Sequence, residues 1–156
     1  MGAAEAIKLA QAEWPLVNKK VGSETALLFK ALKQQLPSVI LNGPEAKVSQ
    51  SRNGESVFLN RLPNNLNISL PGADTEYASI VLDKEGIAVS TKSTCGKKAD
   101  GSKVVKVISG DDNRAFSTIR FSLGPKTNLN SRLADHLAGL LKQHTKHMEV
   151  LDLIAE

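Results

Sequence analysis

Two stretches of this chain alternate between apolar and polar residues: NLNISL at 65–70, with Leu66, Ile68 and Leu70 in phase, and STIRFSL at 117–123, with Ile119, Phe121 and Leu123 in phase. Side chains of an extended strand point to opposite sides in turn, so each stretch predicts a strand with one apolar and one polar face. Pro71-Gly72 stops the first strand and Gly124-Pro125 the second, since proline cannot donate to a ladder and glycine supplies the turn.

Cover for the apolar faces is predicted to come from helices. Over 3–36, Ile7, Ala10, Trp14, Val17, Val21, Leu28 and Leu32 recur at intervals of three, four or seven residues, one apolar stripe along a helix. Pro15 removes a backbone donor inside it, so a kink or a break into two helices is expected there. A second helix is expected after the cap residue Asp74 or Thr75, with Tyr77, Ala78, Ile80 and Val81 inward and Gly86 ending it in the left-handed conformation. The last helix, capped by Thr127 or Asn128, carries Leu129, Leu133, Leu137, Leu140, Leu141, His144 and Met148 on its stripe. Residues 38–44 read as a short strand entering a turn, 45–56 as an exposed loop and 87–89 as a brief strand. The segment 90–116 reads as a long loop with a turn or two of helix near 102–108. The expected fold is α+β: a two-layer sandwich of a small mixed or antiparallel sheet with helices packed on one face.

At 156 residues the chain suits a single domain, and with 4% aromatics its core must be built from Leu, Ile, Val and Ala. The 20 basic and 16 acidic residues are interleaved along the chain, and the few aromatics are far apart. That pattern points to a mildly basic solvated surface and away from nucleic acid. No apolar run approaches the roughly 20 residues that a membrane-spanning helix needs. The first residues lack the pattern of a secretory leader, so a cytoplasmic protein is expected. A single cysteine excludes an intrachain disulfide and a cysteine-based metal cage, and it suits a reducing compartment.

That cysteine, Cys95, lies just past a strand end, among Ser93, Thr94, Gly96, Lys97 and Lys98 rather than among apolar neighbours. The ammonium groups of Lys92, Lys97 and Lys98 favour the thiolate, the attacking form, so a reactive role outweighs a structural one. Arg120 falls on the polar phase of its strand, where it is either a solvated side chain or a bidentate partner for a carboxylate. His136, His144 and His147 follow no metal-ligand spacing and read as structural or solvated, and Asp111-Asp112 reads as a loop acid pair. No glycine-rich phosphate loop is present.

Beyond these readings, LNISLPGADTEYASIVLDKEGIAVSTKSTCGK followed by STIRFSLGPKT resembles the C-terminal, small domain of NifS-like cysteine desulfurases, pyridoxal-phosphate-dependent enzymes of the class V aminotransferase superfamily (fold type I). In that family a strand ending in a serine-rich turn, S-x-G-S-A-C, presents the catalytic cysteine, and residues 90–95 occupy the pattern. The family's I-R-F-S-L-G strand, whose arginine holds the substrate carboxylate, matches residues 119–124 letter for letter. Lys92, Thr94 and Gly96-Lys97 depart from the family's glycine, alanine and T-S. The resemblance implies Cys95 as the sulfur-accepting catalytic residue and Arg120 as the carboxylate-binding one. It also implies L-cysteine as substrate, alanine as product, and a sulfur-acceptor or scaffold protein in iron-sulfur cluster or other sulfur-transfer pathways. Pyridoxal phosphate would act as electron sink in a homodimeric full-length enzyme. No lysine here stands in the family's S-x-H-K context, so residues 1–156 are expected to be the C-terminal domain alone, without the cofactor-binding domain, binding no metal and inactive by themselves. The alternatives are a stand-alone sulfur-relay or interaction module without cofactor, and a class V aminotransferase-like lyase in which Cys95 is incidental.

Overall fold

The computed structural model describes residues 2–44, 48–50, 56–58, 61–91 and 101–155. Its elements run α1 (Gly2–Gln35), β1 (Ile40–Leu41), β2 (Val48–Gln50), β3 (Ser56–Phe58), β4 (Asn65–Ser69), α2 (Thr75–Lys84), α3 (Lys103–Ser109), α4 (Asp112–Phe116), β5 (Thr118–Ser122) and α5 (Ser131–Ala155). The principal sheet is antiparallel with order β1-β4-β5, and β2 and β3 pair as a separate hairpin. The fold is α+β, as the strand alternation and the helical stripes require.

The apolar phase of the strands meets the helices. Leu66 and Ile68 of β4, Ile119 and Phe121 of β5, and Leu70 and Leu123 just past their ends are all buried. They share one core with Val21, Leu28, Ala31 and Leu32 of α1, Ala78 and Leu82 of α2, and Ala134, Leu137, Ala138 and Leu141 of α5. Helices α1 and α5 also pack against each other. The turn after β5 is fastened to α1: Lys20 donates to the carbonyls of Pro125 and Thr127, and Glu24 Oε1 accepts from the Leu129 amide at 3.4 Å. Helices α3 and α4 lie on the opposite side of the sheet, over one end. There the Ser69 and Thr118 hydroxyls both donate to the Arg114 carbonyl at 2.7 Å.

Several sequence expectations change in detail. Helix α1 runs unbroken through Pro15, because neighbouring turns hold the helix across one missing donor. Its apolar stripe is buried only from Val21 onward, while Ile7 (59% exposed) and Trp14 (48% exposed) remain largely exposed. Part of the expected loop at 45–56 contributes to the β2–β3 hairpin. In α2, capped by Asp74 as expected, the inward positions are Thr75, Ala78 and Leu82, whereas Tyr77 and Ile80 are exposed. Gly86 takes φ +74° at the end of that helix, as predicted. The expected strand at 87–89 reduces to one bridge, Ser90 with Arg120. Residues 112–116, read as loop, form α4, because Asp111 accepts from the Arg114 amide and caps it. The last helix starts later than expected: Asn130 accepts from the Leu133 amide at 2.9 Å, while the Thr127 hydroxyl accepts from the Gly124 amide.

Candidate functional site

The polar phase of the same strands faces a cleft of about 410 Å³ on the side of the sheet away from α1 and α5. Antiparallel registry places Asn67 directly opposite Arg120. The backbone continues the row on both sides, because the Asn42 amide donates to the Asn67 carbonyl at 2.9 Å, and Ser90 and Arg120 exchange amide–carbonyl bonds at 3.0 and 2.7 Å. Asn42, Asn67, Arg120 and Ser90 thus form one line across the sheet, and all four line the cleft.

Arg120 is exposed there, and its guanidinium makes no ion pair or hydrogen bond with a described residue. The sequence left it open between a solvated side chain and a carboxylate partner. Its place on a backbone held by neighbours on both sides supplies the rigid base that bidentate binding needs. Arg61, which also lines the cleft, is committed otherwise: it donates to the carbonyls of Pro44 at 2.7 Å and Asn42 at 2.8 Å, and so holds the turn after β1. Burial lowers its pKa below the ordinary value.

Cys95, together with Lys92, Lys97 and Lys98, lies at 92–100, outside the described residues. The positions on either side of that segment are informative. Thr91 before it and Ser102 after it both line the cleft that holds Arg120. The return into α3 is tightly set. The Ser102 amide donates to the Ala115 carbonyl at 2.8 Å, and a Cβ added to Gly101 would sit 2.7 Å from the Ala115 carbonyl carbon. Only glycine lets the backbone approach α4 so closely. The Ser102 hydroxyl then accepts from the Val105 amide and caps α3.

The remaining candidates take structural roles. His144 is buried, with Nε2 3.0 Å from the Asp74 carbonyl and its ring 5.0 Å from that of Tyr77, joining α5 to α2. His136 meets Glu85 at 3.5 Å on the surface, and the His147 side chain is outside the described residues. Asp112 pairs with Lys106 at 2.7 Å. Among the described residues no group of three His, Cys, Asp or Glu side chains could hold a metal ion, and no helix is long and apolar enough to cross a membrane. Sequence reasoning missed Asn42, Asn67 and Arg114. Strand parity already put Asn67 on the polar side, but its position opposite Arg120 depends on a register set by pairing in three dimensions.

No family model matches the chain. Curated relatives do. It is 35% identical over 127 residues to the cysteine desulfurase IscS of Clostridium botulinum (strain Hall), covering 81% of this chain and 29% of that protein. It is 31% identical over 137 residues to the cysteine desulfurase IscS of Dictyoglomus turgidum, covering 85% and 32%. A putative cysteine desulfurase IscS 1 of Bacillus subtilis is 30% identical over 149 residues, covering 93% and 36%. Among solved structures, a NifS-like protein superposes with a TM-score of 0.61 at 22% identity, covering 97% of this chain and 33% of that one. The NifS-like protein from Rickettsia africae gives 0.58 at 22% identity, covering 90% and 31%. The chain therefore spans about three-tenths of the length of the curated relatives that it matches. It is a homologue of the cysteine desulfurases over that part of their length, and it shares the fold of the two NifS-like structures over about a third of theirs.

Proposed function

We propose that this chain is the C-terminal, small domain of a cysteine desulfurase, in which Arg120 holds the α-carboxylate of L-cysteine while Cys95 takes its sulfur. The observation that carries this reading is the cleft itself: an arginine without an ionic partner among the described residues, bordered by Thr91 and Ser102 on either side of the segment that carries Cys95. A planar guanidinium fits a carboxylate through two parallel hydrogen bonds. Fixing that end of the substrate leaves its thiol at the other end, to be met by the Cys95 sulfur.

The reaction balances as L-cysteine plus the Cys95 thiol giving alanine plus a Cys95 persulfide. The carbon–sulfur bond of the substrate breaks, a sulfur–sulfur bond forms, and the carbon gains hydrogen. Cys95 acts as nucleophile through its thiolate, and Arg120 orients the substrate. Pyridoxal phosphate, which the family uses, needs a lysine to anchor it, and the described lining of the cleft contains arginines but no lysine. The described lining of the cleft therefore does not fit the cofactor, and in this reading its binding falls to the remainder of a longer, homodimeric protein. The persulfide would pass to an acceptor or scaffold protein of a sulfur-transfer or iron-sulfur assembly pathway in the cytoplasm.

The test is Cys95→Ser in the cofactor-bearing full-length protein. Persulfide formation and sulfide release from L-cysteine should be lost while the cofactor's visible absorbance is kept. Undiminished sulfide release in that variant would sink the reading.

A further inference from the structure

Arg114, Asn42 and Asn67 form a hydrogen-bonded relay that ends beside Arg120, and its direction is fixed by chemistry. Arg114 Nη2 lies 2.9 Å from Asn42 Oδ1. A guanidinium can only donate, so the Asn42 amide must turn its oxygen to Arg114. Its nitrogen then faces the other way, donating to Asn67 Oδ1 at 2.7 Å and to Ser69 Oγ at 2.8 Å. Ser69 can accept because its own proton goes to the Arg114 carbonyl at 2.7 Å. Asn42 is 3% exposed, so water does not offer an alternative set of partners.

The consequence falls on Asn67. With its oxygen held by Asn42, its Nδ2 group carries two N–H donors that no described residue accepts, and Asn67 lines the cleft. The backbone places these donors next to Arg120. Arg120 spends both of its backbone groups on Ser90, and Asn67 spends its carbonyl on Asn42. The two are therefore a non-hydrogen-bonded antiparallel pair, the closer kind, with Cα atoms about 4.5 Å apart and side chains on the same face.

Building on the desulfurase reading, we infer that Asn67 Nδ2 is a second donor to the substrate carboxylate, and that Asn42 and Arg114 are positioning residues that keep the Asn67 amide turned donor-first. A carboxylate has about four lone-pair sites, and a guanidinium fork uses two. A neighbouring amide donor satisfies a third and fixes the tilt of the carboxylate plane, and hence where the substrate's far end lies. An amide turned the other way would set an oxygen against the carboxylate and repel it.

The test follows side-chain NH resonances of the full chain by NMR during titration with L-alanine, which shares the α-carboxylate of L-cysteine and has no thiol, with alaninamide as the carboxylate-free control. Asn67 Nδ2 and Arg120 Nε should shift together on one binding curve with L-alanine, and neither should respond to alaninamide. Asn67→Ala should weaken binding about tenfold, the effect of one hydrogen bond to a charged group. Asn42→Asp keeps an acceptor for Arg114 and turns the Asn67 amide around, so Asn67 Nδ2 should lose its response to L-alanine while the fold persists. Arg120 shifting without Asn67, unchanged binding by Asn67→Ala, or no response from either residue would overturn the inference. Failure of the desulfurase reading would show elsewhere, as sulfide release that survives Cys95→Ser.

Discussion

The two sides of strands β4 and β5 are made from alternate residues of the same segments and behave as different materials. Toward α1 and α5 lie Leu66, Ile68, Ile119 and Phe121, closed against a helical layer. Toward the cleft lie Asn65, Asn67, Arg120 and Ser122, with Ser69 and Thr118 at the end covered by α4. On the first side each side chain is held by non-directional packing, so its contribution is stability spread over many neighbours. On the second, hydrogen bonds fix direction, and what they contribute is the orientation of a few donors. Substitutions should therefore separate cleanly, those on the helical side changing stability and those on the cleft side changing ligand binding.

The largest effect belongs to the helical side. Ile68 is fully buried between β5 and the helices, and Ile68→Ala should cost about 3–4 kcal/mol in chemical denaturation through lost burial and the cavity left behind. The opposite signature is expected of Arg120→Ala. Its side chain is exposed and without an ion pair among the described residues, so stability should stay within about 0.5 kcal/mol. The L-alanine response should be lost, and, on the proposed desulfurase reading, kcat/KM for L-cysteine in the full-length protein should fall by about 2–4 kcal/mol of transition-state free energy. An Arg120→Ala chain that unfolds as readily as Ile68→Ala would break the division between the two sides.

How legible each side was in the sequence follows from the same division. The helical side was read almost residue by residue, because period-two alternation in 65–70 and 117–123 and the helical stripes report burial directly. The errors there came from partners that no pattern reveals. Helical spacing puts Tyr77 and Ile80 inward on α2 beside Ala78, but the helix turns Ala78 to the core with Thr75 and Leu82 and leaves Tyr77 and Ile80 exposed. The stripe of α1 gives no sign that its first turns, with Ile7 and Trp14, stay exposed. On the cleft side the alternation of 117–123 makes the strand position of Arg120 on the polar phase legible. The roles of Asn42 and Asn67 were not legible, because a row across a sheet joins residues distant in sequence, and nothing local marks an amide whose direction is set by an arginine on another helix.

A third substitution probes the border between the sides. Gly101 is the point where the chain returns from 92–100 to α3 and touches the backbone of Ala115. Gly101→Ala must push α3 and α4 apart, since the nearest atoms are backbone and cannot rotate away. A loss of about 2 kcal/mol is expected, typical of overpacking at a tight contact. If α3 and α4 matter to the cleft as its end wall, the L-alanine response should weaken in this variant too, whereas the core on the helical side should keep its dispersed methyl resonances.

The smallest expected effect is the most discriminating about the polar side itself. Ser122 shares a face with Arg120, two residues along β5, is exposed, and pairs in register with Asn65. No described side chain holds its hydroxyl, and it lies outside the Asn42–Asn67–Arg120–Ser90 row. Ser122→Ala should therefore change stability by no more than about 0.5 kcal/mol and leave L-alanine binding as it was. That outcome, beside a tenfold loss in Asn67→Ala, would mean that the cleft's selectivity resides in a single row of the sheet and not in the general polarity of its face. Equal losses in the two variants would mean that the face binds carboxylate diffusely, and the relay from Arg114 through Asn42 would then have no special hold on the substrate.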